Sequence, residues 1–367
     1  MSEPGVRLDT VSEFVITIFR GGLGRDPEPQ ALDHYAKALA NGVYDKEQLV
    51  DTLLRSEEFR TRFEVMSSAR IGKKRAERGD FISYGKEGQR YSPYVADPTV
   101  FGKRRSRYME TANCISQDFL DPQFSKFCAR IGHPASLHRK LWEYGFVAHH
   151  LQDALALRSG AKGVGFGVGA EPLSSLFASM GCQILATDAP RGLGSEGHSL
   201  RNQSGRSRGD IFHPTVVDGD TFDRNVLFKS SDMNHIDDSI CNFDFCWSVD
   251  CLGYLGSIED GFKFIERSVA NVVKVGGISV HTGQLNVSSH DQAIDAAGLS
   301  LYSALDIERL IERLERRGHK CARLPIEPGA SFVDYLVDVP PFGDVHLKWR
   351  TGEFVCTSFG LVVTRGQ

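Results

Sequence analysis

The first 65 residues carry apolar positions at helical spacing. Val11, Phe14, Val15, Ile18 and Phe19 recur every three or four residues, which predicts an amphipathic helix. The run GGLGRDPEP then breaks it with glycine and proline. Leu32, Tyr35, Ala36 and Leu39 form a second stripe, and Asn41-Gly42 closes it as a left-handed cap would. A third helix is predicted from about Lys46 to Leu54. Ser56 is placed to cap a fourth, SEEFRTRF, with acids in its first turn. Periodicity fades between residues 66 and 112. From Ile115 onward, strand-length apolar runs (KGVGFGVG, CQILATD, NVLFKSSDM, FDFCWSV, GGISVHTG) alternate with helical stretches such as PLSSLFASMG and GFKFIERSVANVVK. That alternation predicts a parallel sheet with helices on both faces, an α/β fold. The chain is expected to divide into a small all-α accessory domain (1–65), a basic connector or lid (66–112) and an α/β domain (113–367).

The length of 367 residues fits two or three domains at roughly 150 residues each. With 41% hydrophobic and 25% charged residues, the composition excludes a collagen, a disordered tail protein and a small disulfide scaffold. A formal net charge of -4 excludes a global basic field for nucleic acid. That average hides a local excess. Gly72–Arg107 holds Lys73, Lys74, Arg75, Arg78, Lys86, Arg90, Lys103, Arg104, Arg105 and Arg107 against Glu77, Asp80, Glu87 and Asp97. Tyr84, Tyr91, Tyr94 and Tyr108 are interleaved. The segment reads either as a solvated linker or as an arm for an anionic acceptor, such as a nucleotide sugar or a lipid-linked sugar phosphate.

The N-terminus MSEPGVRLDT lacks the basic and apolar pattern of a secretory signal. No apolar run approaches the ~18–20 residues that span a bilayer. Eight cysteines show no CxxC pair, and several sit in apolar runs, as buried thiols do in a reducing compartment. The expected location is the cytoplasm, with peripheral contact to the inner membrane left open.

The chemistry concentrates after residue 160. Gly165, Gly167 and Gly169 end an apolar strand immediately before a helix, where glycine permits a tight turn and close backbone approach to a ligand. The next strand ends in Asp188, an acid able to accept from both hydroxyls of a ribose. The third ends in Ser231-Asp232-Met233, an acid for an amino group and a thioether for a ring face. The fourth, FDFCWSVDCLGYLG, opens into small residues.

Together these segments resemble class I S-adenosylmethionine-dependent methyltransferases over roughly 115–367, and within them the type associated with bacterial polysaccharide biosynthesis. The tail PPFGDVHLKWRTGEFVCTSFGLVV is similar to that group's closing strands. The resemblance implies a Rossmann-like fold with a mostly parallel seven-stranded sheet, and S-adenosylmethionine as cofactor. Gly165, Gly167, Gly169 and Glu171 would meet its amino-acid part, Asp188 the ribose, Asp232 and Met233 the adenine, and Ser248 the methionine end. A dehydrogenase is the competing reading of the glycine run, but it gives no reason for the acid-methionine pair after the third strand.

Residues FRGGLGRDPEPQALDHYAKALANG and LVDTLLRSEEF resemble a small helical domain of unassigned function found beside glycosyltransferases. By this resemblance the acceptor is a sugar hydroxyl or a sugar-linked phosphate in surface-glycan biosynthesis, with a glycosyltransferase as a possible partner. A small-molecule O- or N-methyltransferase, or a cofactor-binding protein without turnover, are the alternatives. Gly253-Tyr254 stands where relatives tend to carry Glu-His, and Gln284 where an acid is common. Positioning can then supply much of the rate. If a base acts, the candidates are His281, then Asp250 and Tyr254. No metal-ligand spacing is evident. The long loop after Asp188 carries Arg191, Arg201, Arg206 and Arg208 as candidate phosphate ligands. Trp142, Tyr144 and Phe146 read as helix packing or as part of a cover over the cofactor.

Overall fold

The computed structural model describes residues 10–23, 26–54, 56, 90–93, 107–190, 207–296, 299–329, 331–339, 342, 345–351 and 354–367. The helix expected at SEEFRTRF lies outside them except for Ser56, whose Oγ donates to the Leu53 carbonyl at 2.7 Å. So do nearly all of the basic segment and Arg191, Arg201 and Arg206.

Three N-terminal helices form, Thr10–Leu23, Pro29–Ala40 and Lys46–Leu54; the first runs through Gly21, Gly22 and Leu23, three residues into the stretch expected to break it. Their buried faces (Val15, Ile18, Phe19, Leu49, Val50, Leu53) belong to the same hydrophobic cluster as Trp142, Phe146, Phe177 and Trp247. Burial of large apolar side chains at about 1.5–3 kcal/mol each therefore holds these helices on the α/β body. Among the described residues, no helix is long and apolar enough to cross a membrane.

Twelve strands are present among the described residues. β1 is Arg90–Pro93, β2 Lys162–Phe166, β3 Gln183–Asp188, β4 Val226–Ser230, β5 Phe243–Ser248 and β6 Val273–Asn286. β7 (Ile294–Ala296) and β8 (Leu299–Leu301) make a separate hairpin. β9 is Lys320–Cys321, β10 Leu336–Val339, β11 Lys348–Thr351 and β12 Phe354–Thr364. The main sheet runs β1-β10-β11-β12-β6-β5-β2-β3-β4, and β9 also pairs with β12. β4, β3, β2, β5 and β6 are mutually parallel. β12 returns antiparallel on β6, from Cys356 opposite Asn286 to Thr364 opposite Ile278.

This is the Rossmann-like α/β sheet that the alternating pattern implies. Five parallel strands with antiparallel β12 and the short β9 account for the expected seven. The structure adds β11, β10 and β1 beyond them, because the PPFGDVHLKWRTGEF tail turns back on β12, with Trp349 opposite Cys356.

The helix Arg139–Asp153 covers one face, and its fully buried side chains include Trp142, Phe146, Val147 and Leu151. The helix Ile258–Arg267 covers the other, and a π-helical turn, Ser268–Val272, leads it into β6. Strand order reverses between β2 and β5, so the carboxyl ends of β2, β3, β4 and β5 open one crevice, the usual ligand position of such sheets.

Candidate active site

β2 delivers the chain into the glycine turn. Trp247 on β5 fills the space beside Gly165, where an added Cβ would lie 2.4 Å from its ring. Trp247 packs edge-on to Phe177 at 5.1 Å, which makes a rigid aromatic floor. Gly167 and Gly169 have φ of +61° and +54°, the left-handed region that only glycine enters freely. A Cβ on Gly167 would meet Cys251 Sγ at 2.6 Å and Met233 Sδ at 3.3 Å. The turn thus has no room for a side chain at Gly165 or Gly167, and Met233 lies beside it as the sequence order suggested. His213 braces the turn, its Nε2 lying 3.1 Å from the Ala170 carbonyl oxygen.

Asp188 ends β3 as a buried side chain, and its Oδ1 accepts from the Ala189 amide at 2.8 Å. Asp232 caps the turn Met233–His235: Oδ1 accepts from the Asn234 amide at 2.9 Å, and Oδ2 lies 2.9 Å from His235 Nδ1. Glu171 is 4% exposed, and its Oε1 accepts from Trp247 Nε1 at 2.5 Å. The glycine turn, Asp188, Met233 and Glu171 therefore occupy adjacent strand ends.

The remaining candidates part company. Ser248 does not present its hydroxyl to the glycine turn, because its Oγ is hydrogen-bonded to His281 Nδ1 at 2.8 Å on the face covered by Ile258–Arg267 and the π-helical turn. His281 has no exposure at all. Its Nε2 lies 3.0 Å from Ser268 Oγ and 2.5 Å from Ser279 Oγ, and Phe264 packs edge-on to its ring. Burial holds this imidazole down to about 3. A ring sealed by three hydroxyls, opposite the face that carries Thr282 and Gln284, cannot take a proton from an acceptor. The expectation that His281 serves as base is therefore corrected: it braces β5 against β6.

This placement has a consequence for acid stability. The unfolded chain protonates His281 near pH 6.5, whereas the native protein does not until about 3. Stability therefore falls as pH drops through that window, by about 1.4 kcal/mol per pH unit from this group. His281→Gln is expected to flatten the pH dependence of the urea midpoint by that slope. Unchanged slopes would mean that the ring takes up protons equally in the folded and unfolded states, and so is not sealed.

Asp250 follows β5 with φ +56°, a left-handed conformation uncommon for a side-chain-bearing residue. It is buried, yet Oδ2 accepts from Arg139 Nη1 at 3.0 Å and faces Lys140 Nζ at 3.5 Å, while Oδ1 accepts from Gln284 Nε2 at 3.1 Å. Burial raises its proton affinity, but Arg139 and Lys140 outweigh that and hold it ionised, below the usual carboxylate range. Glu143, fully buried, accepts from the same Arg139 Nη1 at 2.7 Å, from Thr282 Oγ1 at 3.1 Å and from Ser358 Oγ. Arg139 lies over the Trp349 ring at 4.3 Å. Asp250 is thus a saturated member of a four-charge cluster and not a base in waiting. Tyr254 stands half-buried in the next turn, Leu252–Tyr254.

Sequence reading missed Arg139, Lys140 and Glu143. Their signal was available: Arg139 and Glu143 stand at i and i+4 within an otherwise aromatic helix, RKLWEYGF. Gln284, which stands where an acid is common, donates to Asp250 Oδ1. Trp142 is core: its Nε1 donates to the buried Asp118 at 2.6 Å. Arg208 is committed to Asp223 at 2.6 Å and to the Phe222 and Val226 carbonyls.

The strand order and the antiparallel return of β12 decide the fold. It is the Rossmann-like fold that class I methyltransferases share. Residues 8–63 match a family described as a domain of unknown function, DUF4214. No curated protein matches the chain. Among solved structures it is similar to a putative sarcosine dimethylglycine methyltransferase from Galdieria sulphuraria, at 17% identity, 47% of this chain, 52% of that one and TM-score 0.28. It is also similar to a TehB-like methyltransferase from Corynebacterium glutamicum, at 16% identity, 66% and 95% coverage and TM-score 0.33. A third is magnesium protoporphyrin IX methyltransferase from Synechocystis, with bound S-adenosylhomocysteine, at 11% identity, 67% and 96% coverage and TM-score 0.36. The chain spans about half the length of the first of these. At such distances the functional reading rests on the chain's own site.

Proposed function

We propose that this protein is an S-adenosylmethionine-dependent methyltransferase. One observation carries the reading: a positive-φ glycine turn, closed to any Cβ by Cys251 and Met233, opens beside Asp188 at the end of the neighbouring strand. Backbone without side chains suits the cofactor's amino-acid portion. Asp188 supplies a carboxylate for ribose hydroxyls, and Met233, with Asp232 beside it, provides an adenine wall. When bound, the cofactor supplies a methyl group on a sulfonium centre, already reactive toward an oxygen nucleophile.

The chain's own contribution at the acceptor end is orientation. Arg139, Glu143 and Asp250 lock one another, so the Tyr254 turn is held at the carboxyl end of β5. The proposed acceptor is a sugar hydroxyl, or less directly a sugar-linked phosphate, in surface-glycan biosynthesis. Support for it is the resemblance of the two halves of the chain. A glycosyltransferase partner and a cytoplasmic location belong to the same reading. The second reading, a protein that binds cofactor without turnover, is favoured by the sealed His281 and the saturated Asp250.

Calorimetry with S-adenosylhomocysteine tests the cofactor. Binding by the native protein is expected, with Asp188→Ala weakening it by about 1–3 kcal/mol, roughly 5- to 150-fold. No binding, or an unaffected variant, would sink the proposal. Transfer of labelled methyl into fractionated polysaccharide precursors then tests the acceptor. Label on protein or nucleic acid refutes the glycan class, and binding without transfer to any fraction favours the second reading.

A further inference from the structure

A carboxyl beside the glycine turn is buried without a cation at ion-pair distance among the described residues. Glu171 lies two residues beyond Gly169, is 4% exposed, and has one oxygen held by the Trp247 indole. Its charged and titratable neighbours are Lys140, Glu143 and Tyr144 from the helix Arg139–Asp153, Asp188 from β3, Cys251 after β5, and His213, whose ring braces the Ala170–Glu171 backbone and is held below its ordinary value by burial. Lys140 is the only cation in this set, and it faces Asp250 at 3.5 Å and Glu143 at 3.9 Å. A buried carboxyl in that position is a receptor for an incoming positive charge.

We infer that Glu171 is the counter-ion of the α-ammonium of the cofactor's methionine portion, and that it releases its proton to solvent when that group docks. The inference rests on the methyltransferase reading and deepens it, because it assigns the ammonium to one side chain. In the empty site, burial pushes the Glu171 carboxyl up to about 8, against the Trp247 hydrogen bond and Lys140, with Asp188 and Glu143 adding to the rise. The carboxyl is therefore neutral at pH 7, which removes the cost of a buried lone anion. An arriving ammonium favours the ionised form, so one proton leaves as one cation enters. Ligands without the aminocarboxypropyl group have nothing to exchange for that proton.

The test uses the full chain, with S-adenosylhomocysteine and 5′-methylthioadenosine as paired probes. Titration calorimetry between about pH 6 and 7, in two buffers of different ionisation enthalpy, counts protons. The expected result is release of about one proton with S-adenosylhomocysteine and none with methylthioadenosine. Affinity for S-adenosylhomocysteine should rise about tenfold per pH unit across this window and level off above about pH 8. Glu171→Gln should abolish the release and weaken S-adenosylhomocysteine by about tenfold or more, leaving methylthioadenosine within about twofold. Binding of S-adenosylhomocysteine without proton release by the native protein overturns the inference, whether or not the variant folds. So does a variant that still releases the proton. No binding of either probe overturns the methyltransferase reading itself, and this inference with it.

Discussion

Glu143→Ala is expected to lower the free energy of unfolding by about 3–5 kcal/mol, the usual cost of removing one partner from a buried ion pair. Glu143 is fully buried and accepts from Arg139, Thr282 and Ser358. Truncation leaves two hydroxyl donors without their acceptor, and it leaves Arg139 with Asp250 as its one remaining acid partner. Water cannot replace the carboxylate without opening the helix Arg139–Asp153 from β6 and β12. Glu143→Gln keeps the shape and one acceptor oxygen, so it should cost less than the alanine variant. Equilibrium urea unfolding measures both. A loss below about 1 kcal/mol for Glu143→Ala would show that Arg139 finds another acceptor, and the cluster would then not be what fixes Asp250. The loss should also fall on transfer rate, because the same side chains hold the turn that carries Tyr254.

The second large effect belongs to the glycine turn. Gly167→Val is expected to weaken S-adenosylhomocysteine by at least about 100-fold, or about 2.7 kcal/mol, while circular dichroism shows the sheet retained. Two costs combine. A β-branched residue at φ +61° is strained by roughly 1–2 kcal/mol. Its Cβ would also lie 2.6 Å from Cys251 Sγ and 3.3 Å from Met233 Sδ, displacing both. The double variant Gly167→Ala with Cys251→Ala separates them, since it opens the space and keeps the dihedral strain. It should recover part of the affinity and not all of it. Full affinity in Gly167→Val would mean that the turn does not contact the cofactor.

Much of the fold was legible because its signals are local. Two apolar stripes at helical spacing placed the first two N-terminal helices, and the third was read at Lys46–Leu54, although the first helix continues to Leu23, into the glycine run expected to end it. Five apolar runs became β2 to β6. The inner strands β2 and β5 are buried on both faces and so carry continuous apolar sequence, while β4 at the edge has Leu227 exposed. The residues proposed for the cofactor side are set by the same kind of signal. A glycine turn, an acid at the next strand end and an acid-methionine pair at the third are each set by one short segment, and parallel topology alone brings those ends together.

The charged cluster around Arg139 was not legible, because it is made of residues far apart in sequence. Arg139 meets Asp250 across 111 positions and Ser358 across 219. No spacing rule reaches that far. His281 shows the limit most plainly. Its sequence context, at the end of the fifth strand, suits a base, but strands alternate sides, and a shift of one residue chooses between the crevice and the core. The structure puts Thr282 and Gln284 toward the charged cluster and His281 among Ser248, Ser268 and Ser279. The sequence by itself thus determined the elements, their order and the residues at the parallel strand ends, all of which follow from local pattern and chain direction. Tertiary structure alone decided which side chains face each other, because register, burial and long-range pairing settle whether a titratable group holds a proton, shares a charge or is sealed from the reaction.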